Sequence, residues 1–275
     1  LEIERLINKS QEIRIKLFDL VMQDMKGHIP SSFSSLEIVL NLFYGKIMNF
    51  DVTNPNNPNR DRLIVSKGHA AMVLYPILQE LGYFDKSELK KFTKPDGILR
   101  MYADHTIPGI EAITGSLGHG LGISNGYAYA AKQDNKDYKS FVIIGDGECY
   151  EGSIWESAMF ASHYKLDNLI VILDVNGLCI MGETKNCIDQ GSLENKFRSF
   201  GFETINVNGH SHKDIQRGFK IINNKNGKPK AIIAHTVKGK GISFMENHPL
   251  WHNKMPTKAQ IEQAYKELAT NCIIE

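Results

Sequence analysis

A run of apolar residues, "SFVIIG", stops in a Gly-Asp-Gly and acids follow at once: "VIIGDGECYEG" occupies 142–152. Asp146 therefore stands at the mouth of a strand that reads as buried. Gly145 and Gly147 permit a tight turn and let backbone approach a ligand with no Cβ in the way. The segment that follows, "SIWESAMFASHYK", reads as an amphipathic helix whose N-terminus points to the same place, which favours an anion such as phosphate. A second apolar run, "NLIVILDVN", ends at Asn176. A βαβ unit brings two such strand ends to one edge of a sheet. One carboxylate and one amide oxygen make a poor zinc site. They suit Mg²⁺, which takes oxygen ligands octahedrally and completes its shell with water and a diphosphate. The backbone carbonyl of Leu178 is a further candidate ligand. Gly-Asp-Gly alone is a common turn, and a lone Asn after a strand is usually a cap. Together, at successive strand ends around one helix, they favour a metal–diphosphate site.

Four of the ten histidines fall in loops or at helix starts where a ligand can reach. They are His28 in "KGHIP", His69 in "SKGHA", His252 in "PLWHN" and His105 in "RMYADHTIPG". Taken singly, each reads as an ordinary loop or helix-start histidine. The glycine-rich "TGSLGHGLG" (114–122) opens a helix and is weak evidence by itself.

These residues need elements to position them. Residues 3–25 carry apolar side chains at helical spacing, and Gly27 and Pro30 break that helix. Ser34 or Ser35 can cap the next one, "LEIVLNLFYGKIM". "RLIVS" reads as a short strand leading into a helix, "KGHAAMVLYPILQELG". After residue 140 strands alternate with helices: "SFVIIG", "NLIVILDVN", "ETINVN" and "KAIIAHTV", with the helical "HKDIQRGFKIINN" before the last. Such alternation predicts an α/β fold with a parallel central sheet and helices on both faces. A helix near 258–269 begins with the capping-box-like "TKAQ". No linker composition interrupts the chain, so residues 1–275 read as a single domain.

Lysine and arginine number 32 against 31 acids, a net charge of +1. No basic stripe marks a nucleic-acid face, and no apolar run is long enough to span a bilayer. The start, "LEIERLINKS", is charged and helical in pattern, unlike a signal peptide. Cys149, Cys179, Cys187 and Cys272 lack C-x-x-C spacing and read as reduced thiols of a cytoplasmic protein.

"GDGECYEGSIWESAMFASHYKLDNLIVILDVNG" resembles the thiamine diphosphate fingerprint, in which GDG is followed by a helix and then by Asn at the end of the next strand. "GHIPSS", "NRDRLIVSKGHA", "PGIEAITGSLGHGLG", "TVKGKGISFMEN" and "PLWHN" are together similar to segments of transketolases, in order along nearly the whole chain. The likeness covers half a transketolase: the diphosphate-binding (PP-type) domain, as in the N-terminal subunit of split, two-chain enzymes. It implies thiamine diphosphate and Mg²⁺, with Ca²⁺ or Mn²⁺ as substitutes, bound through Asp146, Asn176 and Leu178. By the same resemblance Gly147, Glu148, Gly115, Leu117, His69 and His252 touch the cofactor. His28, His69 and His252 contact the substrate, and Glu151 and Glu156 lie between two cofactor sites. Transketolases commonly carry a His-Pro ahead of the "PG"; His105 is the candidate here, although no proline follows it. His119 receives no role. The glutamate that activates the cofactor belongs to a pyrimidine-binding domain, to which no segment corresponds. The resemblance thus implies a partner chain, two copies of each, a sugar-phosphate ketol transfer, and inactivity alone. The competing readings are a 2-oxo-acid dehydrogenase α chain, a subunit like 1-deoxyxylulose-phosphate synthase, and a non-catalytic relic. "TGSLG" with "SKGHA" favours the transketolase reading over the other enzymes.

Overall fold

The computed structural model describes residues 1–270; Cys272 lies outside them. Five strands form one sheet: β1 (Arg62–Val65), β2 (Ser140–Gly145), β3 (Leu169–Val175), β4 (Glu203–Asn208) and β5 (Lys230–His235). Their order is β1-β2-β3-β5-β4 and every pairing is parallel. The helices are α1 (Glu2–Asp24), α2 (Ile29–Ser34), α3 (Leu36–Phe43), α4 (Leu74–Leu81), α5 (Gly120–Gln133), α6 (Gly152–His163), α7 (Thr184–Cys187), α8 (Leu193–Ser199), α9 (His212–Ile222) and α10 (Lys258–Thr270).

Alternate strand residues feed two cores, because successive side chains of a strand point to opposite faces. Phe141 and Ile143 join Ile170, Ile172 and Ile232 against α1–α4, α9 and α10. Val142 and Ile144 join Val171, Leu173 and Ile233 against α5, α6 and α8. Burial on both faces is why these strands read as unbroken apolar runs. Among the described residues no helix is long and apolar enough to cross a membrane.

Parallel register aligns the carboxyl ends of the strands. Val65 pairs with Ile143, Gly145 with Asp174 and Val175 with His235. The segments that begin at Ser66, Asp146, Asn176 and Thr236 therefore leave from one edge.

Local departures from the sequence reading have local causes. "KGHAAMVLYPILQELG" is not one α-helix: Gly68–Val73 is a 3₁₀ turn and α4 starts at Leu74. Pro76 has no N–H to give the carbonyl of Met72, so the α-helix begins where Pro76 falls in its first turn. Helix α3 stops at Phe43, short of "YGKIM", and Lys46 just beyond takes a left-handed φ of 57°. Neither Ser34 nor Ser35 caps α3 with its side chain. The Ser34 hydroxyl lies 2.5 Å from Asp174 Oδ2 instead. The "TKAQ" box does form: the Thr257 N–H donates to Gln260 Oε1 at 3.0 Å, and the Gln260 N–H reaches back to Thr257 Oγ1 at 3.5 Å. Cys149 is buried, and Cys179 and Cys187 are free thiols with sulfurs 3.4 Å apart.

One buried ion pair locks the strand ends together. The Lys67 ammonium, after β1, pairs with Asp174 near the end of β3; both side chains are 2% exposed or less. Lys67 also donates to the Ser31 carbonyl at 2.9 Å, and Thr236, after β5, donates to Asp174 Oδ1. Burial alone would raise the Asp174 carboxyl, but Lys67 and the hydroxyls outweigh it and hold it below the usual range. Breaking a buried pair strands a charge in low dielectric, so Lys67→Met is expected to cost about 3–5 kcal/mol in urea unfolding. Lys67→Met with Asp174→Leu is expected to cost less than the two single changes summed; strict additivity would show that the pair is not coupled.

Candidate active site

Asp146 closes a clasp at the strand ends. Its Oδ1 accepts the Gly147 N–H at 2.8 Å and its Oδ2 accepts the Gly177 N–H at 2.6 Å. Asn176 Oδ1 accepts the Leu178 N–H at 3.1 Å, folding the chain back in an Asx turn. Gly177 makes this possible with φ +77°, and a Cβ there would meet nothing within 4 Å. Asp146, Asn176 and Leu178 thus lie in two adjoining turns, and the oxygens they offer are of the hard kind. Burial, then the charge of Asp174, pushes the Asp146 carboxyl up to about 6. A divalent cation would relieve both effects, so this donor set fits Mg²⁺. No group of three or more His, Cys, Asp or Glu that could hold a metal occurs among the described residues.

Lys238, buried after β5, adds a positive charge at this corner. Its ammonium is 3.3 Å from the Leu178 carbonyl and 3.1 Å from His252 Nδ1. Burial and then Lys67 lower its pKa to about 8. The backbone before it is fixed from below: the Val237 N–H donates to His210 Nε2 at 2.8 Å, and His210 Nδ1 lies 2.8 Å from Glu37. Arg14 and His210 hold buried Glu37 down to about 2 against its desolvation.

Three histidines distant in sequence meet here. The rings of His28 and His69 are 5.7 Å apart, His28 and His252 5.4 Å, His69 and His252 5.1 Å. His28 precedes α2, His69 lies in the 3₁₀ turn after β1, and His252 ends the short helix Pro249–His252. Burial comes first in lowering all three pKa values; Lys238 adds to it at His28 and His252, and Lys67 at His69. His252 falls to about 4. Neutral imidazoles each offer one donor and one acceptor. His28 is buried, and its Nδ1 has no partner among the described residues. An orphaned buried nitrogen in a polar cleft is what a ligand-binding residue looks like without its ligand.

The remaining sequence candidates take varied places. Gly115 is exposed, and a Cβ on it would meet only the Tyr102 ring, at 3.9 Å. Leu117 is half-buried in the same loop. Glu148 does not present its carboxylate to the cleft: one oxygen accepts Ser66 Oγ and the Gly118 N–H (2.9 Å), the other the Gly145 N–H (3.1 Å). It ties the Gly-Asp-Gly turn to the glycine-rich loop. His105 is exposed and makes none of the ring contacts that join the other three. His119 is exposed at the start of α5. Glu151 and Glu156 are exposed at and on α6. Sequence reading passed over Lys67, Asp174 and Lys238. The signal for Lys238 was available: a lysine between Val and Gly, immediately past a strand end, in "HTVKGKG".

The family model described as "Transketolase, thiamine diphosphate binding domain" matches residues 5–272. An apulose-4-phosphate transketolase subunit of Phocaeicola vulgatus is 39% identical over 269 residues, 98% of this chain and 95% of that one. The 6-deoxy-6-sulfo-D-fructose transketolase subunit SqwG of a Clostridium species is 38% identical and covers 88% of each. Human transketolase is 35% identical over 97% of this chain, which spans 42% of the human protein. The crystal structure of Campylobacter jejuni transketolase superimposes with a TM-score of 0.89 at 28% identity, over 98% of this chain and 44% of that one.

A protonated Asp146 cannot ligate a metal, so affinity falls as pH falls through its pKa of about 6. Mn²⁺ titration followed by water-proton relaxation is expected to show binding about tenfold weaker near pH 5 than near pH 7.5. Asp146→Ala is expected to abolish it, and an unchanged titration curve for that variant would remove Asp146 from the ligand set.

Proposed function

The chain belongs to the thiamine diphosphate-binding domain family of transketolases, and from that premise we propose that it is the diphosphate-binding half of a two-chain ketol transferase. The observation that carries the reading is coverage: the chain matches relatives named as subunits from end to end, nearly, but spans less than half of single-chain transketolases. We read residues 1–275 as one domain, since both cores share one sheet.

Thiamine diphosphate, when bound, supplies the nucleophilic carbon and electron sink for breaking and making a ketose carbon–carbon bond. The chain's own residues do the rest. Asp146, Asn176 and the Leu178 carbonyl hold Mg²⁺, and Lys238 neutralises the diphosphate. Gly115 and Leu117 line the cofactor's ring region, Gly147 lets its phosphates come close, and Glu148 fixes the turn they rest on. His28, His69 and His252 hydrogen-bond the substrate's oxygens and move protons at the reacting carbonyl, a contribution of about 10²–10⁴-fold for well-placed groups. Three neutral imidazoles pair with sugar hydroxyls. That pairing suits the hydroxylated chain of a ketose. Phosphorylated sugars do not cross membranes unaided, so a cytoplasmic location follows from the same reading.

Exposed apolar side chains support a partner. Ile113, Ile180, Met181, Ile188 and Leu250 are each at least 60% exposed, and all sit in segments that carry the site. Large apolar side chains left in solvent beside a site are what a partner chain would cover. We assign this rim to a pyrimidine-domain chain that covers the cofactor. Met159, Phe160 and Tyr164 form a second exposed group on and just after α6, where Glu151 and Glu156 also lie. We assign that face to a second copy of this chain, giving two copies of each.

Purified alone with cofactor and Mg²⁺, the chain is expected to transfer no ketol unit. Mixing with the pyrimidine-domain partner is expected to restore turnover at a mass near four chains. In that assembly His252→Ala is expected to lower kcat by about 10²-fold or more. Robust turnover by the isolated chain would overturn the two-chain reading.

A further inference from the structure

We propose that Tyr102, rather than His105, is the side chain that meets the substrate at the rim of the histidine cleft. The proposal rests on the ketol-transfer reading and adds to it a contact to the sugar's hydroxylated chain. Three observations converge. The Tyr102 ring lies 6.1 Å from that of His28, tilted by 51°, so it flanks the histidine whose Nδ1 is orphaned. It also borders Gly115, where a Cβ would come within 3.9 Å of its Cδ1. Tyr102 is 41% exposed, and its hydroxyl has no hydrogen-bond partner among the described residues.

The loop holds the ring there. Leu99 and Ala103, on either side, are buried, and the Tyr75 hydroxyl donates to the Arg100 carbonyl at 2.6 Å. Asp104 Oδ1 then accepts the Thr106 N–H at 2.8 Å in an Asx turn, within which His105 is exposed. Tyr102 is thus anchored from both sides, while His105 sits in the exposed turn that follows.

The chemistry suits a neutral, hydroxylated ligand. A phenol can donate one hydrogen bond and accept others. It complements a sugar hydroxyl better than a phosphate, which would call for a cation.

The test uses the assembled two-chain enzyme with fructose 6-phosphate and xylulose 5-phosphate as donors. Tyr102→Phe is expected to raise the donor KM roughly 3- to 10-fold, the loss of one neutral hydrogen bond, with kcat changed less. Tyr102→Ala is expected to raise it further. The Mg²⁺-dependent cofactor affinity of both variants, measured by calorimetry, is expected to stay within about twofold, which also reports that they fold. A donor KM unchanged in both variants overturns the proposal. So does a loss confined to cofactor binding, or an effect of His105→Ala with none from Tyr102. If the unsubstituted assembly transfers no ketol unit, the ketol reading fails separately. Ligand-detected NMR with the same two sugar phosphates then decides: contact weakened by Tyr102→Phe supports the rim role, and equal or absent contact overturns it.

Discussion

The buried pairing of Lys67 with Asp174 is the constraint on which the rest of the cleft depends. Four segments meet at that carboxylate and ammonium: the end of β1, the end of β3, helix α2 through Ser31 and Ser34, and the residues after β5 through Thr236. Each hands a functional residue its position over a very short stretch of chain. His69 lies two residues past Lys67, Asn176 two past Asp174, and Lys238 two past Thr236. His28 sits just ahead of Ser31 on the same turn of chain. A hydrogen-bonded ion pair in low dielectric tolerates little displacement, so the imidazoles, the amide and the lysine inherit a common frame.

The same charges set the protonation of the site. Asp174 helps to keep the Asp146 carboxyl high, ready to exchange a proton for a metal. Lys67 and Lys238 help to keep the histidines neutral. A second buried charge, Glu37 between Arg14 and His210, supports the backbone from which Lys238 projects. Burial therefore does two things at once: it makes these pairs strong and makes their fields felt.

Much of this was legible in the sequence. Strands β2 and β3 showed because burial on both faces writes an unbroken apolar run, as in "SFVIIG" and "NLIVILDVN", whereas β4 lies at the sheet edge and showed through the alternation of "ETINVN". Asp146 and Asn176 showed because strand ends in parallel sheets converge. What stayed hidden was long-range. Asp174 read as one polar residue inside a strand, with no hint of Lys67. Glu148 read as part of a fingerprint, whereas its carboxylate faces inward to Ser66 and Gly118. Ser34 looked like a helix cap because local chemistry favours one, and a tertiary partner claimed its hydroxyl.

The contact between Gly68 and Thr114 has a consequence for redesign. A Cβ at residue 68 would sit 1.2 Å from the Thr114 carbonyl oxygen. Even alanine would force apart two backbones that carry His69 on one side and Gly115 on the other. This crossing is therefore closed to substitution, and a library that varies it will return mostly broken cofactor sites. Diversity aimed at new ligands belongs instead on side chains that reach in from loops pinned at both ends, where the cleft wall can change shape while its frame stays still.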